Sequence, residues 1–169
     1  MGGWDKGVSW EYAYNLITSR IRRSRDQASK CYLYILLIQL RNGSRVSEAV
    51  RAFKAFVKNH VRECEVLVSK KKNPESRIMV LPNELSLDDL SKCSDIASVD
   101  DDRLVNRVKV FASRNLKLNT HSLRYAFITY LLKQGINPAL VAKITHHSKL
   151  DLILHYTQRR EAEDILKQI

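Results

Sequence analysis

His121 and Arg124 stand three residues apart in THSLRYAFITYLL, a run whose apolar positions recur at helical spacing behind Thr120. That spacing puts both side chains on one helical face close to the N-terminal end. Backbone N–H groups and the helix dipole favour an anion at such an end, and a guanidinium can grip two phosphate oxygens at once. A surface histidine beside an arginine matched to some carboxylate fits the same pair. Arg45 follows the turn signal Asn42-Gly43 and precedes Glu48 by three residues, so a carboxylate is at hand to orient it. Further on, ITHHSKLDLILHYT sets His146 and His147 together and Tyr156 nine residues past the second. Taken alone, that tyrosine covers the core with its ring and meets water with its hydroxyl. Taken with the cations, a phenol at that separation suits covalent chemistry on DNA.

The bulk numbers agree with a polyanionic partner. The chain has 169 residues, enough for one domain with a core of its own, and carries a formal charge of +11. The excess lies early, in SRIRRSRD and VSKKKNPESR. A solvated lysine-rich face explains charge alone; nucleic acid is favoured only when other features agree. No apolar run approaches the roughly 20 residues needed to span a bilayer, and the first residues lack the pattern of a secretion signal. The expectation is a cytoplasmic, DNA-associated protein without membrane contact. Cys31, Cys64 and Cys93 are far apart and odd in number, which suits reduced thiols and proposes neither a disulfide framework nor a metal site.

These groups need elements to position them. Ser9 caps a helix through WEYAYNLITSRIRR, with Tyr12, Leu16 and Ile17 as its apolar positions. Asp26 starts QASKCYLYILLIQLR, oily nearly all round and therefore buried, which ends at Asn42-Gly43. Ser47 opens VSEAVRAFKAFV. The period then changes: EVLV and RIMVL flank a polar turn holding Asn73-Pro74, an antiparallel hairpin with Lys70, Lys71 and Lys72 where the first strand enters the turn. Asp100, Asp101 and Asp102 suit a helix N-terminus better than a metal site, because no second acidic cluster accompanies them. Thr120 caps the helix His121 to Gln134, which Gly135 ends, and Pro138 opens PALVAKIT. A short helix reaches Tyr156, and a last one carries the stripe Ala162, Ile165, Leu166 and Ile169. The fold class expected is mainly α with a small antiparallel β-hairpin or three-stranded sheet, in a single domain over 1–169.

The blocks NGSRVSEAV, HSLRYAFITYLLKQGINPALVAKITHHS and LILHYT resemble those of the tyrosine recombinases, the family of phage integrases and Xer-type resolution enzymes. Arg45, His121, Arg124, His147 and Tyr156 take the matching places, and the resemblance covers 9–158, leaving 159–169 as a C-terminal helix. Departures are Ser44 where leucine is usual before the first arginine and His146 where glycine is usual before the third-block histidine. The hairpin resembles the family's lysine-bearing turn. Counting back from Arg77 favours Lys72, the strand pattern Lys71, and Ser69-Lys70 another common variant. The N-terminal helical domain usual in the family has no counterpart before Ser9.

What the resemblance implies is a DNA breaking and rejoining enzyme that works through a 3′-phosphotyrosyl link. Tyr156 is the nucleophile, and His121 a candidate base. Arg45, Arg124 and His147 hold the phosphate, and one of Lys70, Lys71 and Lys72 is the general acid. No cofactor or metal is implied. His146 and His155 are left over as packing or DNA-flanking residues. Double-stranded DNA is the expected partner, bound by a homo-oligomer whose terminal helix packs either on its own domain or on a neighbour. A prokaryotic virus, plasmid or other mobile element is the expected source. Two other readings stay open: a non-catalytic DNA-binding remnant or regulator with the same fold, and a relaxase like the type IB topoisomerases.

Overall fold

The computed structural model describes residues 8–69, 72–146 and 150–169; at residues 150, 152, 153, 156, 157 and 160 only the backbone is described. Helix α1 (Trp10–Arg23) begins at Ser9, whose hydroxyl accepts the Tyr12 N–H, and α2 (Gln27–Asn42) begins at Asp26, whose carboxylate accepts the Ser29 N–H. The expected stripe of α1 is corrected in one place: Tyr12 is exposed, and Ala13 and Ile17 are the buried positions. Helix α2 is the central post. Leu33, Ile35, Leu36, Leu37, Ile38 and Leu40 are all buried because α1, α3 (Val46–Asn59), α6 (Asp101–Phe111) and α7 (Thr120–Lys133) surround it. An all-round apolar helix thus finds partners on every side.

Strands β1 (Glu63–Leu67) and β2 (Ser76–Val80) pair antiparallel, Glu65 opposite Ile78. Among the described residues the sheet has two strands, the smaller of the two expectations. Short helices α4 (Leu87–Ser91) and α5 (Ser94–Ala97) lead to α6, which Asp100 caps through the Arg103 N–H, as the aspartate run suggested. A π-helical turn, Ala112–Leu116, follows and ends in a left-handed Lys117. The cap of α7 is Asn119, which accepts the His121 N–H at 2.9 Å; Thr120 is already inside the helix and buried. Helix α8 (Pro138–Thr145) has its proline at the start. The expected break after Tyr156 is absent: α9 runs continuously over Leu150–Gln168.

The cysteine expectation is overturned. Cys31 and Cys93 form a disulfide with Cα atoms 6.0 Å apart. The two are 62 residues apart in the chain, a spacing that carries no pairing signal, yet the turn between α4 and α5 folds Cys93 against the first turns of α2. Cys64 is the free thiol. No helix among the described residues is long and apolar enough to cross a membrane.

Candidate active site

The C-terminal end of α2 gathers the site. Gly43 takes a left-handed conformation at φ 60°, and a Cβ there would overlap the Phe127 ring of α7. A glycine is needed for both reasons, since L side chains are strained in that region and this one would also lack space. The close approach lets the Gly43 carbonyl accept from Arg124 Nη1 at 3.0 Å. Gln39, a buried amide in an otherwise oily helix, donates to the carbonyls of Ser44 (3.1 Å) and Thr120 (2.9 Å), joining the approach to Arg45 with the start of α7. The Asn42 amide donates to Val80 O at 2.9 Å and accepts the Val80 N–H at 2.8 Å, continuing the edge of β2 into α2.

Around that knot sit three guanidiniums and one carboxylate. Glu48 is fully buried on the first turn of α3; its Oε2 lies 3.2 Å from Arg45 Nη1 and its Oε1 3.5 Å from Arg77 Nη1. Arg77 Nη2 donates to Asn42 O. The same Glu48 oxygen that meets Arg45 accepts the Ser69 N–H at 3.2 Å, so the residue just before Lys70 is anchored on it. Arg51 donates to Leu67 O at 2.7 Å, and the Ser47 and Ser69 hydroxyls are 2.6 Å apart, which fixes the root of the hairpin turn to α3.

Burial makes this cluster electrostatically tense. Arg124 is 2% exposed and Arg77 4%. Desolvation first, then the nearby Arg45 charge, pushes the Arg124 guanidinium down to about 10. Arg77 is lowered in the same direction, again mainly by burial and against the opposing pull of Glu48. Three cations facing one anion in a water-poor place are a standing surplus of positive charge, which an anion relieves. Arg124 Nη2 is buried without a hydrogen-bond partner among the described residues.

His121 lies exposed on the first turn of α7, its ring edge-on to Tyr125 at 5.5 Å between centroids. It lines one open cleft of about 1000 Å³ together with Arg45. Tyr156 falls on the second turn of α9, which packs on α7 and α8; its side chain is outside the described residues. Lys72 is exposed in the turn between the strands, whereas Lys70, Lys71 and His147 lie outside the described residues. Arg45, His121 and Arg124, distant in sequence, are thus brought to one region. His146 caps α8 at φ 54° and its Nδ1 lies 2.9 Å from Glu75 Oε2; His155 is exposed on α9. The backbone at 146 is the kind that favours glycine, the residue that the resemblance leads one to expect there.

A protein of Acidianus two-tailed virus named "Putative integrase ORF241" is 40% identical to this chain over 171 residues, covering 99% of the chain and 69% of that protein. The chain belongs to the tyrosine recombinase family of integrases. A protein of Sputnik virophage named "Putative integrase V10" is 33% identical over 160 residues, covering 79% of this chain and 69% of its own length. An uncharacterized protein of Methanocaldococcus jannaschii is 30% identical over 199 residues, covering 99% and 89%. Among solved structures, the crystal structure of XerA recombinase shares the fold, with a TM-score of 0.51 and 20% identity over 89% of this chain. The present chain spans 57% of that solved chain. No family-level sequence model matches it.

Sequence reasoning about this tyrosine recombinase missed Gln39, Asn42 and Arg77 as organisers. Two of the three had a signal. A glutamine inside YILLIQL has no reason to be there unless buried carbonyls need a donor, and in RIMVL the period of two puts Arg77 on the same inward face as Met79 while Ile78 points out.

Proposed function

We propose that this chain is the catalytic part of a site-specific DNA recombinase that cuts and rejoins strands through a 3′-phosphotyrosyl intermediate, without metal or ATP. The observation that carries the reading is the buried arginine cluster at the end of α2, with a surplus of positive charge beside His121 and Arg45. The viral relatives named as integrases support it.

Tyr156 Oη attacks phosphorus, forming the tyrosyl O–P bond as the bond to the 5′ oxygen breaks. A phenol with an ordinary pKa of ~10 is only about one part in a thousand ionised at pH 7, so its proton must go to a base, for which His121 is the candidate. Arg45, Arg124 and His147 stabilise the charge that builds on the non-bridging oxygens, each such donor being worth about 10²–10³ in rate. The departing 5′ oxygen takes a proton from Lys70, Lys71 or Lys72. The hairpin root pinned to Glu48 and α3 gives that lysine a fixed origin. The phosphoester energy stays in the link, so the reverse attack by a 5′ hydroxyl reseals the strand.

Double-stranded DNA is the proposed substrate, and a homo-oligomer on DNA the proposed working form. Ile165 and Leu166 are exposed on α9 and Ile169 just beyond its end, which suits docking of that helix on a neighbouring protomer. A virus, plasmid or other mobile element of a prokaryote is the proposed source, and the cytoplasm the proposed place of action. The test is a suicide duplex carrying a nick or a 5′-bridging sulfur at the target site. Wild-type protein becomes trapped on it and Tyr156→Phe does not; equal trapping by the variant excludes the assigned nucleophile.

A further inference from the structure

The open cleft beside Arg45 and His121 extends to a wall that the catalytic reading does not use. That wall is α6 and the π-helical turn, which present Lys109, Ser113 and Lys117 to the cleft. None of the residues lining the cleft is acidic. Neither lysine makes an ion pair among the described residues, although carboxylates satisfy the half-buried Lys54 and the exposed Arg159.

The backbone puts the two ammonium groups there. Val105, Lys109 and Ser113 are four apart, a stripe that would drift off the cleft face if the helix continued unchanged. The π-helical turn is wider than an α turn and opposes that drift, which keeps residue 117 at the same cleft. Lys117 then closes the turn in a left-handed conformation, φ 55°, with its N–H on Ala112 O. Such a conformation is costly for a residue with a side chain, and a π turn is uncommon; both cluster at functional places.

We propose that this wall is a subsite for a DNA backbone phosphate beside the one being cut, with Lys109 and Lys117 as its cations and the Ser113 hydroxyl as a donor. The inference rests on the recombinase reading for its ligand. It adds a second anchoring point in the same cleft, on α6 and the π-helical turn and not in the arginine cluster, that fixes the register of the strand across Arg45 and His121. Phosphate contacts of this sort position the duplex and carry no sequence information.

The test measures binding to a duplex of arbitrary sequence as a function of salt. Lys109→Gln and Lys117→Asn are suitable because both side chains are exposed and asparagine tolerates the left-handed backbone. Each lost phosphate contact lowers the log–log salt slope by ~0.9, so the double variant loses nearly two units, roughly sixtyfold in affinity at 0.1 M if the curves meet at 1 M salt. Lys133→Gln, at the exposed far end of α7, serves as the control for net charge. A double variant with the wild-type slope, or a control that loses as much per lysine, overturns the subsite. Covalent trapping on a suicide duplex is scored in parallel. Trapping with an unchanged slope sinks the subsite alone; the expected slope loss without any trapping sinks the catalytic reading alone; no wild-type binding at all sinks both.

Discussion

Replacing Glu48 by glutamine is the perturbation to which this architecture is most sensitive. The side chain is fully buried and, among the described residues, is the one carboxylate in contact with the arginine cluster, 3.2 Å from Arg45 and 3.5 Å from Arg77. Glutamine has nearly the same shape and can still accept the Ser69 N–H, so the packing and that hydrogen bond survive. What disappears is the negative charge. A lost hydrogen bond alone would cost ~1–3 kcal/mol, whereas stripping a buried charge of its counter-charge costs ~3–5 kcal/mol. The second figure applies because Arg77 and Arg124 have almost no access to water. For a domain of this size each kcal/mol lowers Tm by ~2–4 °C, so Glu48→Gln should melt ~6–20 °C below wild type. Calorimetry or urea titration at pH 7 checks this. Adding Arg77→Met, which removes one stranded cation, should return most of the loss, less ~1 kcal/mol for the Asn42 carbonyl deprived of its donor. A Glu48→Gln variant within ~1 kcal/mol of wild type, or a double variant worse than the single, would refute the view that one carboxylate holds the cluster together.

Gly43→Ala should lose roughly 2–4 kcal/mol in the same urea titration, from a left-handed backbone and overlap with Phe127. Gly135→Ala, at φ 81° with open space around it, should lose only about 1 kcal/mol. Thiol titration of the unreduced, unfolded protein should find one free thiol among three cysteines. Cys31→Ser should lower stability by up to ~4 kcal/mol, the chain-entropy value for a loop of 62 residues. Three free thiols would contradict the bridge. Burial pushes the Cys64 thiol up to about 11, so in native protein at pH 8 alkylation should run about a hundredfold slower than for a thiol at its ordinary value of 9.0. Equal rates in native and urea-unfolded protein would show that the thiol is not held as described.

The elements were legible where a local signal exists. Ser9, Asp26 and Asp100 cap the helices that their positions announce, Gly43 ends α2, and Pro138 opens α8. Where two local signals compete, the sequence was ambiguous: Asn119 and Thr120 are both good caps, and the chain enters α7 one residue earlier than the threonine suggests. The unbroken α9 was hidden because polar QRRE after Tyr156 reads as a boundary, although those residues are also good helix formers. For the site, the family resemblance pointed to Arg45, His121 and Arg124, and the fold brings them near one another. Less legible was the middle layer, in which Gln39, Asn42, Gly43 and Arg77 connect three elements through backbone carbonyls: Gln39 and Arg77 stand out as polar residues at inward positions, but nothing local names their partners. The Cys31–Cys93 bridge belongs to the same class, since long-range contacts leave no periodicity to read.

The central claim is that a phenolic oxygen of this chain becomes bonded to the 3′ phosphate of a cut strand. The direct measurement is protease digestion of protein trapped on a 5′-bridging phosphorothiolate duplex, followed by mass mapping of the nucleotide-bearing peptide. The account predicts a single modified peptide with the nucleotide on Tyr156 and a free 5′ thiol on the other strand end. A nucleotide on any other residue, or a protein attached to the 5′ end, would contradict it.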